Sequence, residues 1–341
     1  MILDGQSPQS IAAAAQALQR GELLGLPTET VYGLAADACH EAAVAKIFAA
    51  KGRPSDHPLI VHVASAEGVA HFARELPDFA ARLIQAFWPG PLTLILPRRS
   101  GVAAAAAGGQ DSVGLRCPSH PVAQAVLRQA ERLGVYGVAA PSANVFGRVS
   151  PTTAAHVASE FGADVLVLDG GACEVGIEST IVDCTRGEPV VLRPGILTPQ
   201  QLGLACGRSV QTTADLLGAK DSQAPRASGT MASHYAPRAH VRLIDALNFA
   251  AELHGWAQLS PAKATLALWI GQPMALPESC RHRVQQQVMP QDAAACAHDL
   301  FAQLRVFDAQ AVSEIWIQNP PADPAWDGVR DRLTRAATPV R

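Results

Sequence analysis

Residues 23–34 read Leu-Leu-Gly-Leu-Pro-Thr-Glu-Thr-Val-Tyr-Gly-Leu, an apolar run of strand length followed at once by a glycine-bounded turn with two hydroxyls and a carboxylate. A short run without polar alternation is the pattern of a strand buried on both faces, as in a sheet covered by helices. Similar runs recur at 59–63, 92–96, 113–116, 137–140, 165–168, 180–182 and 190–192. Helical patterns at 42–50, 78–87, 121–133 and 152–161 lie between several of them. Before the first run, Ser7 and Pro8 form an N-cap and first-turn proline for a helix that stops at Gly21. The expectation is an α/β fold whose first block, 1–206, is a twisted mixed sheet flanked by helices.

The 341 residues exceed what one core usually organises, which makes two domains the default. From 207 to 239 the periodicity dissolves into Ser, Thr, Gly, Ala and Pro, a stretch too long for a plain connection and expected to be a linker that doubles as a lid. Beyond it, 240–341 alternates strand and helix signals as a small doubly wound, Rossmann-like domain does.

With 48% hydrophobic and 17% charged residues, the composition excludes disorder, collagen and coiled coil. No apolar run approaches the roughly 18 residues of a membrane span. Asp4 sits where a signal peptide would carry positive charge, so the chain reads as soluble and cytoplasmic. Seven cysteines without a C-x-x-C pair argue against a disulfide framework and a structural zinc site. The net charge of -3 supplies no general attraction to nucleic acid, so any phosphate site must be local. Lysine occurs only at 46, 51, 220 and 263, which makes Lys51 beside Gly52 informative.

The P-loop, the dinucleotide fingerprint, G-x-S-x-G and H-E-x-x-H are all missing. What the chain has instead are polar clusters at element ends, where open α/β sheets place ligand groups after their strands. Thr28, Glu29 and Thr30 could hold a small polar ligand or merely cap a turn. In Lys51-Gly52-Arg53-Pro54-Ser55-Asp56-His57, two cations flank a helix-stopping glycine; they suit a polyphosphate and equally complement a helix carboxyl end. His62 falls on the opposite strand face from Leu59, Val61 and Val63. Pro141-Ser142-Ala143-Asn144 closes one apolar run, and Ser150 precedes a helix as an N-cap or anion site. Ser112, Arg116, Ser179, Thr180 and Arg193 stand at the ends of strands, where together they suggest one anionic ligand.

The motifs PTETVYGL, KGRPSDHPL, PLTLIL, VGLRCPSHP, APSAN, GIESTIVD and LRPG, in this order, resemble the YrdC-like family of threonylcarbamoyl-adenylate synthases over residues 10–205. SGTMASHYAP at 228–237 resembles the linker signature of its two-domain form. The resemblance implies a nucleotidyltransferase that converts L-threonine, bicarbonate or CO2, and ATP into threonylcarbamoyl-AMP and pyrophosphate. Downstream tRNA threonylcarbamoyltransferase machinery would place the product on the adenosine beside the anticodon. It implies catalytic roles for Lys51, Arg53, Ser142 and Asn144. ATP would fall to Arg53, His57, Ser112, Ser142, Ser150, Arg193 and Tyr235, although the family commonly has Asn where this chain has His57. Threonine would fall to Thr30, His62, Arg116, Ala140 (through its backbone) and Thr180.

The chemistry accords with that inventory. A neutral threonine amine adds to CO2, and the short-lived carbamate calls for solvent exclusion rather than a protein nucleophile. Expelling pyrophosphate calls for Lys51, Arg53 and a Mg2+ ion held through the ATP phosphates. Two other readings compete: a non-catalytic RNA-binding module of the same fold, and a carbamoyl-transfer maturation factor, which would be expected to carry paired-cysteine zinc modules. Direct contact with tRNA and the identity of any general base stay open at this level; His62 is a candidate base.

Overall fold

The structure is a computed structural model and describes residues 1–215, 224–231 and 234–338. Those residues divide into two compact units, one of Met1–Phe146 with Ser150–Thr230, the other of Gly147–Val149 with Met231–Arg341. Part of the expected linker, 216–223 with 232 and 233, lies outside the described residues; of its remainder, the portion up to Thr230 belongs to the first unit and the portion from Met231 to the second.

The first unit is built on eleven strands: β1 (Ile2–Asp4), β2 (Leu24–Leu26), β3 (Gly33–Asp37), β4 (Ile60–His62), β5 (Leu92–Pro97), β6 (Ser112–Arg116), β7 (Val138–Ala139), β8 (Leu166–Asp169), β9 (Thr180–Asp183), β10 (Val190–Arg193) and β11 (Gln211–Thr212). They form one mixed sheet in the order β1-β8-β2-β3-β7-β4-β6-β5-β9-β10-β11. Three of these strands escaped the sequence reading. β1 pairs only with β8, and β11 is a two-residue edge on β10 inside the supposed linker. β3 was hidden because its Gly-Leu-Ala-Ala stretch follows the polar turn so closely; it returns antiparallel on β2, pairing Leu26 with Gly33.

The helices are α1 (Pro8–Gln19), α2 (Glu41–Lys51), the single turn α3 (Val69–Phe72), α4 (Asp78–Phe87), α5 (Pro121–Arg132), α6 (Ala154–Phe161) and α7 (Pro199–Cys206). Ser7 caps α1 as its sequence requires. Ser150 does not cap α6: the N-cap is Thr153, whose hydroxyl accepts the His156 amide. In β4 the alternation holds, because Leu59, Val61 and Val63 enter the main core while Ile60 packs on the opposite face beside Ile95, Ile181, Val190 and Leu192. That second face is the floor of the site described below.

The second unit carries β12 (His240–Ile244), β13 (Leu266–Ile270), β14 (Val284–Val288) and β15 (Glu314–Gln318), all parallel, in the order β12-β15-β13-β14. With them run α8 (Phe249–Leu259), α9 (Ala293–Ala309) and α10 (Asp327–Ala337). Phe249, Leu253 and Trp256 of α8 bury against Leu266, Leu268, Ile270 and Trp316. Residues 147–149 join this unit through an ion pair from Arg148 to Asp308 at 3.3 Å and a hydrogen bond from Arg305 to the Val149 carbonyl. Among the described residues no helix is long and apolar enough to cross a membrane. All seven cysteines are free thiols, six of them buried.

Candidate active site

β4 and β6 run parallel with His62 in register with Arg116, so the last residues of both strands stand side by side. Arg116 is 4% exposed. Its Nε donates to the Gly90 carbonyl at 3.3 Å and its Nη2 lies 2.7 Å from Glu29 Oε1. Burial first, and then the charge of Arg116, push the His62 imidazole down to about 3, so it is neutral at physiological pH. The Ala140 amide, just past β7, donates to Ile60 at the start of β4. In the turn after β2, the Thr28 hydroxyl donates to the Val31 carbonyl at 2.6 Å and lies 2.9 Å from the Thr30 hydroxyl. Since Thr28 spends its one proton on Val31, Thr30 must be the donor between them, which leaves the Thr30 oxygen as an acceptor.

Not every expected group behaves alike. Arg116, His62 and Arg193 close their strands, whereas Ser112 and Thr180 open theirs, so strand carboxyl ends alone do not gather these groups. The Thr180 hydroxyl is engaged with the Leu197 peptide at 3.2–3.3 Å. Its neighbour Ser179 bonds Thr93 Oγ1 at 2.7 Å, and its carbonyl accepts from Arg193 Nε and Nη2. Thr93 and Phe146 were not singled out as ligands by sequence, because nothing in their spacing marks them; Glu29 was read only as one member of its turn cluster.

The KGR cluster is set by the end of α2. Gly52 adopts φ 60°, a left-handed conformation that glycine takes without strain, and turns the chain so that the Arg53 amide closes on the Phe48 carbonyl. Lys51, only 2% exposed, donates to the carbonyls of Ser142 and Asn144, each at 2.5 Å. Burial, with a smaller contribution from Arg53, pushes its ammonium down to about 7. The Ser142–Asn144 segment therefore contributes its backbone to Lys51, while the Asn144 side chain donates to the Val145 carbonyl. Phe146 binds the Lys51 carbonyl through its amide and lies beneath the Arg53 guanidinium, 5.4 Å away, with His57 against the same ring at 5.5 Å. Burial and Arg53 lower the pKa of His57.

Arg53 and Arg193 both reach Ser228, Arg53 Nη2 to its hydroxyl at 3.3 Å and Arg193 Nη1 to its carbonyl at 3.0 Å. Just before it, Arg226 and Gln110 exchange hydrogen bonds, and Ala227 packs on the apolar floor. A cleft lined by Ile60, Thr93, Ile95, Ser112, Gly114 and Ser228 follows this floor. Ser150 donates to Glu178 at 2.5 Å. Tyr235 belongs to the second unit, where it is 1% exposed between Phe301 and the Arg332 guanidinium. Among the described residues no group of three or more His, Cys, Asp and Glu side chains could hold a metal ion.

Residues 16–195 match the protein family described as "Telomere recombination", and residues 197–338 match "Threonylcarbamoyl-AMP synthase, C-terminal domain". The threonylcarbamoyl-AMP synthase of Pyrococcus abyssi is 43% identical over 69% of this chain and 68% of its own length. That of Schizosaccharomyces pombe is 33% identical over 93% of this chain and 85% of its own. The chain belongs to the threonylcarbamoyl-AMP synthase family. In structure it resembles P. abyssi Sua5 complexed with L-threonine, with a TM-score of 0.87 and 33% identity over 99% of this chain and 97% of that one. The family makes this chain a nucleotidyltransferase, a threonylcarbamoyl-AMP synthase serving threonylcarbamoyladenosine formation in tRNA.

Proposed function

We propose that the first unit condenses L-threonine, bicarbonate or CO2, and MgATP, with threonine held by Arg116, His62, Thr30, Thr180 and the Ala140 backbone. ATP is assigned to Arg53, His57, Ser112, Ser142, Ser150, Arg193 and Tyr235, the last on family resemblance. The observation that carries the reading is the burial of Lys51, Arg53, Arg116 and Arg193, each 7% exposed or less, on a unit with no general excess of positive charge. Buried guanidinium and ammonium groups gathered in this way suit a triphosphate and an α-carboxylate, with Glu29 already set against one edge of Arg116.

In this mechanism threonine enters as the zwitterion and its ammonium gives a proton to water; the neutral amine then forms a bond to the carbon of CO2 as one C=O π bond opens, and a second proton passes to water to leave the carbamate. A carbamate oxygen then attacks the α-phosphorus, and the bond to pyrophosphate breaks. Lys51 and Arg53 oppose the charge that develops on the leaving group, in a site whose low dielectric strengthens their effect. A neutral His62 accepts a hydrogen bond from the substrate; with a pKa near 3 it is too weakly basic to take a proton from the amine, so it is not assigned as the base. The metal arrives on the nucleotide, as part of the substrate, and no step depends on a protein cage for it. The segment around 226–228 acts as a lid, excluding water from the carbamate and the adenylate. The product passes to downstream tRNA threonylcarbamoyltransferase machinery in the cytoplasm.

The test is pyrophosphate release across amino acids. Threonine should exceed serine by about fivefold or more in kcat/KM, the effect of one methyl in a fitted pocket. Equal rates with serine and threonine would reject the assigned amino-acid site.

A further inference from the structure

Glu29 is a buried carboxylate, 3% exposed, that the mechanism above leaves unused. Its two oxygens are divided. Oε1 meets Arg116 Nη2 at 2.7 Å, and Oε2 accepts the Ser119 amide at 3.2 Å. The backbone is held as well, because the Glu29 carbonyl accepts the Val175 amide at 2.7 Å. The carboxylate is therefore held at both oxygens, the backbone at its carbonyl, and the side chain in turn fixes one edge of Arg116. The Gly90 carbonyl fixes Nε. Nη2 has the Glu29 ion pair, and Nη1 has neither an ion-pair nor a hydrogen-bond partner among the described residues.

We propose that Glu29 is the positioning residue of the amino-acid site, clamping the Arg116 guanidinium so that Nη1 is presented to the α-carboxylate of threonine. This rests on the reading of the first unit as the threonine site. A planar guanidinium binds carboxylate well only in the plane of its fork, and rotation about its long side chain spoils that alignment. Glu29 also sets the charge of the pocket. Glu29 cancels Arg116, and a neutral His62 adds nothing, so the site is balanced for a zwitterion, whose own charges also cancel. An uncompensated Arg116 would favour any small carboxylate, with or without an amine.

Glu29→Asp keeps the charge and shortens the reach by one methylene, which isolates geometry. In the full-length protein it should raise KM for threonine about tenfold or more while KM for ATP stays within about twofold. Glu29→Gln keeps the reach and an acceptor for Nη2; it should raise the threonine KM less, and let lactate, a carboxylate without the amine, compete with threonine more strongly than in the wild type. An unchanged threonine KM in the Asp variant, matched rises for threonine and ATP, or loss of the folded circular dichroism spectrum in both variants would overturn the positioning role. Threonine-independent turnover by the wild type would instead remove the underlying reading, and this proposal with it.

Discussion

Burial and the neighbouring Arg53 bring the Lys51 ammonium from its ordinary value to about 7, where its charge can be titrated under assay conditions. The ammonium is charged below that pH and lost above it, so kcat/KM for ATP, which reports the free enzyme, should fall as pH rises beyond about 7. Lys51→Arg keeps a cation at all these pH values and should flatten the limb; a limb unchanged in that variant would exclude Lys51 as its source. Lys51→Ala should lower single-turnover rates by on the order of a hundredfold with little change in threonine affinity. His62 carries the opposite diagnostic, in stability. Its folded pKa of about 3 lies below the ordinary 6.5, so the unfolded chain binds the extra proton between those values. Stability must then fall as pH drops from 6.5 toward 3, and His62→Gln should shallow that slope in chemical denaturation; an identical slope would mean that His62 is not buried neutral. At this scale the sequence was readable where period-2 alternation applies, as for His62 against Val61 and Val63. It was not readable where a hydroxyl had a choice of partner. Ser150, which reads as a cap or an anion site, leaves the cap to Thr153 and bonds Glu178, and nothing in the sequence shows that the Thr180 hydroxyl also meets the Leu197 peptide.

At the scale of elements, the strands of the first unit that were legible from sequence are those with continuous apolar runs, β2 and β4 to β10. β1 and β11 lie at the two edges of the sheet, where few residues and one pairing partner leave little periodic signal. The lid has its clearest physical support at Ser228, whose carbonyl and hydroxyl stand against Arg193 and Arg53. Phosphate oxygens would compete for the same two guanidinium groups, so nucleotide binding and the conformation of this segment should be linked. Limited proteolysis reads the linkage: cleavage within 207–239 should be fast in the free enzyme and slow with ATP and threonine, and equal rates would reject the lid. Tyr235 requires a gentler probe than alanine. Its ring fills space between Phe301 and Arg332, and Tyr235→Ala should lose about 3 kcal/mol of stability from cavity formation alone. Tyr235→Phe retains the ring; a raised KM for ATP at constant melting temperature supports an ATP contact through the hydroxyl, and an unchanged KM removes Tyr235 from the nucleotide site.

For the whole molecule, fold and reaction class were legible because seven ordered motifs span the first unit, and the pairing of a mixed sheet with a small parallel sheet follows from the run of apolar segments. The division of 207–239 between the two units was not, since a polar, glycine-rich segment carries no periodicity to show which core it joins. Nor could sequence foresee that 147–149 would pair with 236 in the second unit, a contact remote along the chain. The central claim is one of chemistry: four buried cations on the first unit serve a single condensation of amino acid, carbonate and nucleotide. It is tested most directly by incubating the full-length protein with ATP, Mg2+, 13C-labelled bicarbonate and L-threonine, omitting one component at a time, and following product by mass spectrometry beside pyrophosphate release. The account predicts a threonylcarbamoyl-AMP adduct carrying the 13C label, formed in step with pyrophosphate, only in the complete mixture. Pyrophosphate released at an undiminished rate without threonine, or an adduct lacking the label, would contradict it.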